Sequence, residues 1–231
     1  MRYGATILDA TGLRLTADEK ALFRAVKPFG FILFARNIDT PDQVRALCGE
    51  LREAAGHNAV ITIDQEGGRV QRLRGPVWRD WTPPMTFVQA AGADAAQAMY
   101  IRFRLIADEL FGLGIDSNCA PMVDVAGPQT HEFLYNRCYG TDPGHGRATM
   151  DSHFNLPLVG ADHATLTAHD FAPFKALNDL PMGMTAHLVY DAIDPRPATL
   201  SPVMMDVIRS EIGFDNLIMT DDISMKALDG A

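Results

Sequence analysis

Short apolar runs alternate with amphipathic segments along almost the whole chain. The runs that predict buried strands lie at 30–34, 60–63, within 115–125, at 182–186 and at 217–219. The segments with helical spacing of apolar residues lie at 17–26, 41–56, 93–113, 169–178 and 202–213. Strands that alternate with helices predict an α/β fold with a parallel sheet covered on both faces. Because no linker or low-complexity run interrupts the pattern, we expect a single domain over residues 1–231.

Polar residues mark the starts of the predicted helices. Thr16 with Glu19, and Thr40 with Gln43, have the Ser/Thr-x-x-Glu/Gln spacing of a capping box. The helix over 202–213 follows a serine and stops at a glycine, which is typical of helix ends.

Composition limits the possible classes of protein. The 231 residues are 47% hydrophobic and 21% charged, as in a globular protein that buries a core. The net charge of -9 argues against binding to nucleic acid or to an anionic membrane surface. Cys48, Cys119 and Cys138 lack metal-ligand spacing and suit reduced thiols. With no visible signal peptide and no long apolar span, we expect a cytoplasmic protein.

The last predicted strand ends in an acid pair, Asp221-Asp222. Adjacent carboxylates repel each other and are costly to desolvate, so their position calls for a reason. In an α/β barrel the carboxyl ends of the strands form the active-site face, which makes Asp221 a candidate nucleophile. The alternative is a helix cap, in which an aspartate complements the dipole of a following helix.

A charged, glycine-containing segment, 64–72, follows the strand at 60–63. Carboxylate oxygens and forked guanidinium donors suit bidentate recognition of sugar hydroxyls. Its glycine pair allows positive φ or a close approach of the backbone to a ligand. The alternative is a tight turn with a surface ion pair. The segment lacks the spacing of a phosphate-binding loop.

Asp151 lies two residues before His153. A carboxylate neighbour holds an imidazole in one tautomer and raises its basicity, which suits a general acid/base. A metal site is the second interpretation, because several histidines lie within 25 positions: His145, His153, His163 and His169. None of their spacings is the i, i+4 of a zinc-binding helix.

Five motifs together resemble the bacterial β-N-acetylhexosaminidases of the family-three glycoside hydrolases. In chain order they are 63–72, Asn136-Arg137, 143–146 with 151–153, 184–187 and 220–225. The resemblance implies a (β/α)8 TIM-type barrel and a retaining exo-β-N-acetylglucosaminidase that forms a covalent glycosyl-enzyme. It also implies cytoplasmic recycling of peptidoglycan, with N-acetylglucosaminyl-anhydromuramyl peptides as substrate and no metal or other cofactor.

The resemblance also implies residue roles. Asp221 matches the family nucleophile, His153 the general acid/base and Asp151 its orienting partner. The positions that match sugar-binding residues are Asp64, Arg72 and Arg137. His187 lies in a family motif, and the resemblance gives it no chemical role.

The sequence departs from the family pattern in the middle and at the end. Asp142 is followed directly by Pro143, where relatives have about 25–30 further residues, roughly one helix–strand unit that includes a Lys-His pair. The chain stops at Ala231, where relatives continue, so we expect an incomplete barrel with exposed strand edges. The alternatives are therefore a catalytically impaired sugar-binding remnant of the family or a metal-dependent barrel hydrolase.

Overall fold

The computed structural model describes residues 3–124, 126–128, 130–141 and 156–229. The chain divides into two compact units, Met1–Pro121 and Met122–Ala231. Each unit has its own hydrophobic core. That both units belong to one barrel domain stays a prediction.

The first unit contains an α/β arrangement with a parallel sheet. Its strands are β1 (Gly4–Leu8), β2 (Pro28–Leu33), β3 (Val60–Ile63), β4 (Gln65–Gly67), β5 (Val70–Gln71) and β6 (Ser117–Asn118). Its helices are α1 (Ala17–Val26), α2 (Pro41–Ala55), α3 (Pro84–Ala91) and α4 (Ala95–Phe111). The parallel sheet has the order β1-β2-β3-β6, and β4 pairs antiparallel with β5 just past the end of β3. The alternation of helices and parallel strands agrees with the sequence pattern.

Burial on both faces explains why the central strands are mainly apolar. Ile61, Thr62 and Ile63 of β3 are at most 1% exposed. Helices α2 and α4 supply the covering residues of this core, among them Leu47, Leu51, Ile106 and Leu110. A strand with no solvent-facing side needs no polar alternation, so three of the four residues of β3 are apolar and Thr62 is buried among them.

The capping box at the start of α1 is confirmed. The hydroxyl of Thr16 accepts from the backbone N–H of Glu19 at 3.2 Å. In return, the Glu19 carboxylate accepts from the N–H of Thr16 at 2.8 Å. The carboxylate also accepts from the N–H of Thr11, 2.8 Å away, so it fixes the loop before the helix as well.

The second capping box forms only in part, and the prediction of a complete box is wrong. The Thr40 hydroxyl accepts from the N–H of Gln43 at 3.3 Å, as expected. However, the Gln43 side-chain oxygen accepts from Asp39, not from Thr40. The reason is that the Gln43 amide nitrogen donates to the carbonyls of Leu13 and Asn37, which turns the side chain toward the preceding loop.

The second unit contains two short parallel strand pairs. Its strands are β7 (Leu158–Val159), β8 (Met182–Thr185), β9 (Val189–Tyr190) and β10 (Leu217–Thr220). Its helices are α5 (Glu132–Tyr135), α6 (His163–Thr165), α7 (Ala172–Ala176) and α8 (Pro202–Asp206). β8 pairs with β10, in a register that ends with Thr185 opposite Thr220, and β7 pairs with β9.

The helix predicted over 169–178 begins earlier than expected. The side chain of Asp162 accepts from the N–H of Thr165 at 2.7 Å and starts α6 there. A π-helical turn, Leu166–Asp170, then connects α6 to α7. An aspartate N-cap thus sets this start, ahead of the apolar periodicity on which the prediction relied.

The predicted helix from 202 to Gly213 is confirmed, as α8 followed by a π-helical segment, Val207–Ile212. The hydroxyl of Ser201 accepts from the N–H of Met204 at 2.9 Å, and Gly213 ends the helix with a φ of 79°. Ser201 also donates to the carboxylate of Asp194 at 2.5 Å. Hydrogen bonds from Arg196, followed by that from Ser201, hold the pKa of Asp194 well below its usual range.

No helix in the part of the chain that the structure describes has the length and apolar character needed to cross a membrane.

Candidate active site

Asp64 and Arg72 form an ion pair where β3 ends. Asp64 is the residue directly after the strand, and its carboxylate contacts the Nη2 of Arg72. The two side chains are 20% and 26% exposed. The Arg72 guanidinium also lies 5.7 Å from the ring centroid of Phe34. The pair is thus partly buried at the carboxyl end of a strand, whereas the tight-turn alternative places it on an open surface.

Two buried glutamines hold the backbone around Arg72. The side-chain oxygen of Gln65 accepts from the N–H groups of Arg72 and Leu73 at 3.0 and 3.1 Å. The Gln71 amide donates to the Leu73 carbonyl at 2.6 Å and accepts from the N–H of Trp81 at 3.0 Å. Within segment 64–72, these two residues therefore build the turn, while Asp64 and Arg72 present polar groups that are partly exposed.

Asn118 connects the ends of β3 and β6. Its side-chain oxygen accepts from the N–H of Gln65 at 2.9 Å, and its nitrogen donates to the Gln65 carbonyl at 3.0 Å. This two-bond bridge fixes the residue next to Asp64. The sequence offered only a polar residue after an apolar run as its signal, and our sequence interpretation missed it.

Gly67, the first residue of the glycine pair, packs against a buried arginine. Gly67 and Gly68 have φ angles of 108° and 61°, so the expected positive φ is confirmed. A Cβ on Gly67 would lie 2.2 Å from Nη2 of Arg102, a side chain that is 1% exposed. Arg102 donates to the carbonyls of Glu66 and Thr82 at 2.9 and 2.6 Å. The close approach that the glycine permits is therefore to Arg102.

Arg102 was missed at the sequence level, although α4 contains a signal. Arg102, Ile106 and Leu110 repeat every four residues and are all buried. A charged residue within an apolar helical stripe needs buried partners, because an unpaired buried charge is costly. The aromatic ring of Phe87, with its centroid 4.8 Å from the guanidinium carbon, supplies part of that environment.

Asp221 lies one residue past the end of β10. Its backbone N–H donates to the carbonyl of Thr185 at 3.1 Å, and its Oδ1 accepts from the N–H of Asp222 at 2.8 Å. Within the described residues, Oδ2 has no hydrogen-bond partner. The side chain is partly exposed. One oxygen is thus held in place, and the other is available to a ligand.

Asp222 has a different role from its neighbour. Its Oδ1 accepts from the N–H and the hydroxyl of Ser224 at 2.8 and 2.7 Å. Asp222 therefore fixes the turn through its own side chain. The helix-cap alternative does not describe it, because the short 3-10 helix that follows, Lys226–Leu228, begins after Met225 with no side-chain cap. The two acids therefore differ in their contacts, since one oxygen of Asp221 has no partner within the described residues.

His187 is a fully buried residue just beyond the end of β8. Its Nε2 lies 2.8 Å from the carbonyl oxygen of Asp222, and its Nδ1 lies 2.9 Å from the hydroxyl of Thr199. Because a carbonyl oxygen can only accept, Nε2 carries the proton. Thr199 also donates to the carbonyl of Ala186 at 3.2 Å. Thr199 was not identified from the sequence.

The other predicted site residues are only partly covered by the structure. Arg137 lies just after α5, partly buried, with its guanidinium carbon 5.6 Å from the ring centroid of Phe133. The proposed acid/base pair, Asp151 and His153, lies outside the described residues.

The structure also covers only part of the histidine cluster on which the metal interpretation depends. Within the described ranges, no group of three His, Cys, Asp or Glu residues is arranged to hold a metal ion. His163 contacts the carboxylate of Glu211 at 2.9 Å, and His169 lies in the π-helical turn. His145 and His153 lie outside the described residues.

Comparison with known proteins identifies the family. The family described as "Glycosyl hydrolase family 3 N terminal domain" matches residues 7–143 and 141–230. The chain belongs to glycosyl hydrolase family 3. Membership confirms the resemblance found in the sequence and, with it, the glycosidase class and the TIM-barrel type of α/β fold, of which this chain covers part.

Individual relatives of the family align over nearly the whole chain. A beta-hexosaminidase of Alkalilimnicola ehrlichii is 32% identical over 260 residues, covering 98% of this chain and 74% of the relative. NagZ from Neisseria gonorrhoeae, solved in complex with N-trifluoroacetyl-D-glucosamine, is 28% identical with a TM-score of 0.86, covering 97% and 76%. A family 3 beta-N-acetylglucosaminidase from Paenibacillus sp. str. FPU-7 is 30% identical with a TM-score of 0.84, covering 96% and 48%.

The chain therefore spans about three quarters of the length of the first two relatives and about half of the third. The first alignment, at 260 residues, is longer than the 231-residue chain. That family 3 relative thus has residues inside the matched region with no counterpart here.

Proposed function

We propose that this chain is a retaining exo-β-N-acetylglucosaminidase that releases terminal non-reducing N-acetylglucosamine through a covalent glycosyl-enzyme. The observation that carries the proposal is the state of Asp221 at the end of β10. One of its oxygens is held by the N–H of Asp222, and the other has no partner within the described residues. Such a carboxylate suits attack on an anomeric carbon, and relatives of this family 3 chain are named for this activity.

The reaction proceeds in two displacements. In the first, the free oxygen of Asp221 bonds to the anomeric carbon as the bond to the leaving oxygen breaks, and His153 gives its proton to that oxygen. In the second, water attacks the anomeric carbon, returns a proton to His153 and releases Asp221. Asp151 orients the imidazole. The roles of His153 and Asp151 rest on the family resemblance, and a histidine here replaces the more usual second carboxylic acid.

Asp64, Arg72 and Arg137 are proposed to hold the sugar. The Asp64 carboxylate accepts from hydroxyls and the Arg72 guanidinium donates to them, so the pair can bind neighbouring hydroxyl groups together. Partial burial of the pair strengthens such bonds, because the surroundings screen charge less than bulk water does. The fixed backbone around Arg72 supports the same role.

The proposed substrates are N-acetylglucosaminyl-anhydromuramyl peptides, as peptidoglycan fragments recycled in the cytoplasm. The solved complex of the Neisseria NagZ with N-trifluoroacetyl-D-glucosamine supports an N-acyl glucosamine as the bound unit. The negative net charge of this chain gives no support to nucleic acid as a partner.

The second candidate function is sugar binding without turnover. It is favoured by the direct succession of Asp142 and Pro143, where the family resemblance expects a further helix–strand unit. Turnover of an aryl β-N-acetylglucosaminide, measured beside calorimetric titration with N-acetylglucosamine, separates the two. Hydrolysis supports the enzyme, and heat of binding without hydrolysis supports the sugar-binding remnant. The absence of both hydrolysis and heat of binding would contradict both proposals.

A further inference from the structure

We propose that His187 is a positioning residue for Asp221, because it holds the carbonyl of Asp222 and so fixes the turn that carries the nucleophile. This inference rests on the proposed function, since it concerns the aim of a carboxylate that attacks the sugar. His187 acts on Asp221 through the backbone and not through contact with substrate.

The burial of His187 supports a positioning role. The side chain is 0% exposed, and both ring nitrogens have protein partners at 2.8 and 2.9 Å. A buried polar group is costly unless its hydrogen bonds are satisfied, and here both are. An imidazole engaged in this way is not available to exchange protons with a substrate.

The bond from His187 reaches the residue that controls the Asp221 side chain. The N–H of Asp222 donates to Oδ1 of Asp221, while the carbonyl of the same Asp222 accepts from His187. The N–H of Asp221 is bound to Thr185 on the neighbouring strand. The backbone from Asp221 to Asp222 is therefore tied to the end of β8 at both residues. This double tie fixes which oxygen of Asp221 points away from the turn.

Bonds inside the turn cannot supply this orientation. Those from Ser224 to the Asp222 side chain at 2.8 and 2.7 Å join residues that would move together if the turn rotated. The bonds to Thr185 and His187 cross to a different strand and resist that rotation.

Thr199 supports His187 from the other side of the ring. Its hydroxyl contacts Nδ1 of His187 and the carbonyl of Ala186. The contact of Nε2 with the Asp222 carbonyl and the contact of Nδ1 with the Thr199 hydroxyl together set one orientation of the ring. A missing hydroxyl is therefore expected to loosen the ring.

The kinetic test compares two substitutions of His187 in the full chain. His187→Leu removes the donor, whereas His187→Gln places an amide N–H near the position of Nε2. With an aryl β-N-acetylglucosaminide we expect His187→Leu to lower kcat about 100-fold while KM changes by less than about threefold. The reason is that the reacting carboxylate would be misaligned although the substrate still binds. His187→Gln should restore most of the loss.

His57 provides a matched control. Its Nε2 contacts the carbonyl of Pro28 at 2.8 Å, the same kind of bond, in the first unit and at the start of a strand. His57→Leu should leave kcat unchanged even if it lowers the melting temperature. An equal loss of kcat in both leucine variants would overturn the inference, because it would report general destabilisation.

A second measurement does not depend on hydrolysis. Amide hydrogen exchange, followed by NMR, should be about tenfold faster at Asp222 in His187→Leu than in the wild type, with His187→Gln close to the wild type. Unchanged exchange at Asp222 in the leucine variant would overturn the inference whether or not the chain is active. Faster exchange with unchanged kcat in an active chain would overturn it too. An inactive wild type counts against the proposed function, and exchange still decides whether His187 fixes the turn.

Discussion

Asp221 and Thr185 are joined by a backbone hydrogen bond of 3.1 Å, from the N–H of the acid to the carbonyl at the end of β8. The bond extends the β8–β10 pairing one residue beyond Thr220. Asp221 thus combines a fixed backbone with a partly exposed carboxylate. A reacting group held by a rigid element keeps its geometry better than one on a free loop.

The first prediction concerns this acid. Asp221→Asn should abolish formation of the glycosyl-enzyme and lower kcat at least about a thousandfold, as expected when a nucleophile is removed. The melting temperature should hardly change, because the two side chains are almost isosteric. A fluorinated N-acetylglucosaminide should label the wild-type chain at Asp221, detected by mass spectrometry of the modified peptide.

Asp222 is the matched control for this experiment. Asp222→Asn keeps an oxygen that can accept from Ser224, so the turn and the activity should be largely retained. A label found on Asp222, or full activity in Asp221→Asn, would show that the nucleophile is assigned to the wrong acid.

The second prediction concerns the acid/base. His153→Ala should slow hydrolysis of substrates with poor leaving groups far more than that of activated aryl glycosides, because only the former need a proton. Asp151→Ala should give a milder form of the same pattern. His163→Ala is the control, because His163 also contacts a carboxylate, that of Glu211. Any effect of this substitution on hydrolysis should not depend on the leaving group. An equal loss on both substrate types would mean that His153 positions the sugar or the loop.

The third prediction concerns stability at low pH. Burial alone would raise the pKa of Glu19, but hydrogen bonds from Thr11 and Thr16 outweigh it and lower the pKa from 4.5 to about 2. Since the folded pKa is depressed, the contribution of Glu19 is fully present above pH 4.5 and is lost as pH falls toward about 2. Glu19→Gln should therefore lower the free energy of unfolding at pH 7 and flatten its decline through this window.

Urea unfolding at several pH values measures the Glu19 effect. Asp18→Asn, at the exposed neighbouring position, is the control for a general change of charge and should keep the wild-type decline. The same decline in Glu19→Gln as in the wild type would show that the hydrogen bonds to Thr11 and Thr16 do not depend on the carboxylate charge.

The fold elements that could be predicted are those with a strong local pattern. The strand at 60–63 was predicted to the residue, because burial on both faces makes its sequence mainly apolar and rich in β-branched residues. The β4–β5 hairpin was not predicted, since Gln65 and Gln71 form it through side-chain amides and give no apolar alternation. The two-residue strands β7 and β9 are too short to carry any period.

The residues of the candidate site also divide into those that could be predicted from the sequence and those that could not. Asp64 and Asp221 could be found because each directly follows a recognisable strand, and Arg72 because the motif at 63–72 matches the family pattern. Arg102 and Thr199 could not, because their roles depend on contacts with residues distant in sequence. Thr199 reaches His187 across 12 positions, and Arg102 reaches Glu66 across 36. Such pairings are created by the fold and leave no local pattern.

The fourth prediction concerns the direct succession of Asp142 and Pro143. The family resemblance expects about 25–30 residues here, roughly one helix–strand unit, with a Lys-His pair that binds substrate. The 260-residue alignment with the Alkalilimnicola relative is consistent with a segment that this chain lacks. Lost polar contacts cost roughly 1–3 kcal/mol each when their buried partners stay unpaired. We therefore expect the 231-residue chain to turn over an aryl β-N-acetylglucosaminide at less than about 1 s⁻¹.

Restoring the segment tests this expectation directly. A helix–strand insert taken from a relative and placed between Asp142 and Pro143 should raise kcat. A parallel barrel closes only when strand number, tilt and stagger agree, so an insert of equal length made of glycine and serine should not restore activity. If the unmodified chain already reaches about 1 s⁻¹ or more, the missing segment is not disabling. Equal recovery with the glycine–serine insert would instead mean that chain length, and not the strand or the Lys-His pair, limits the enzyme.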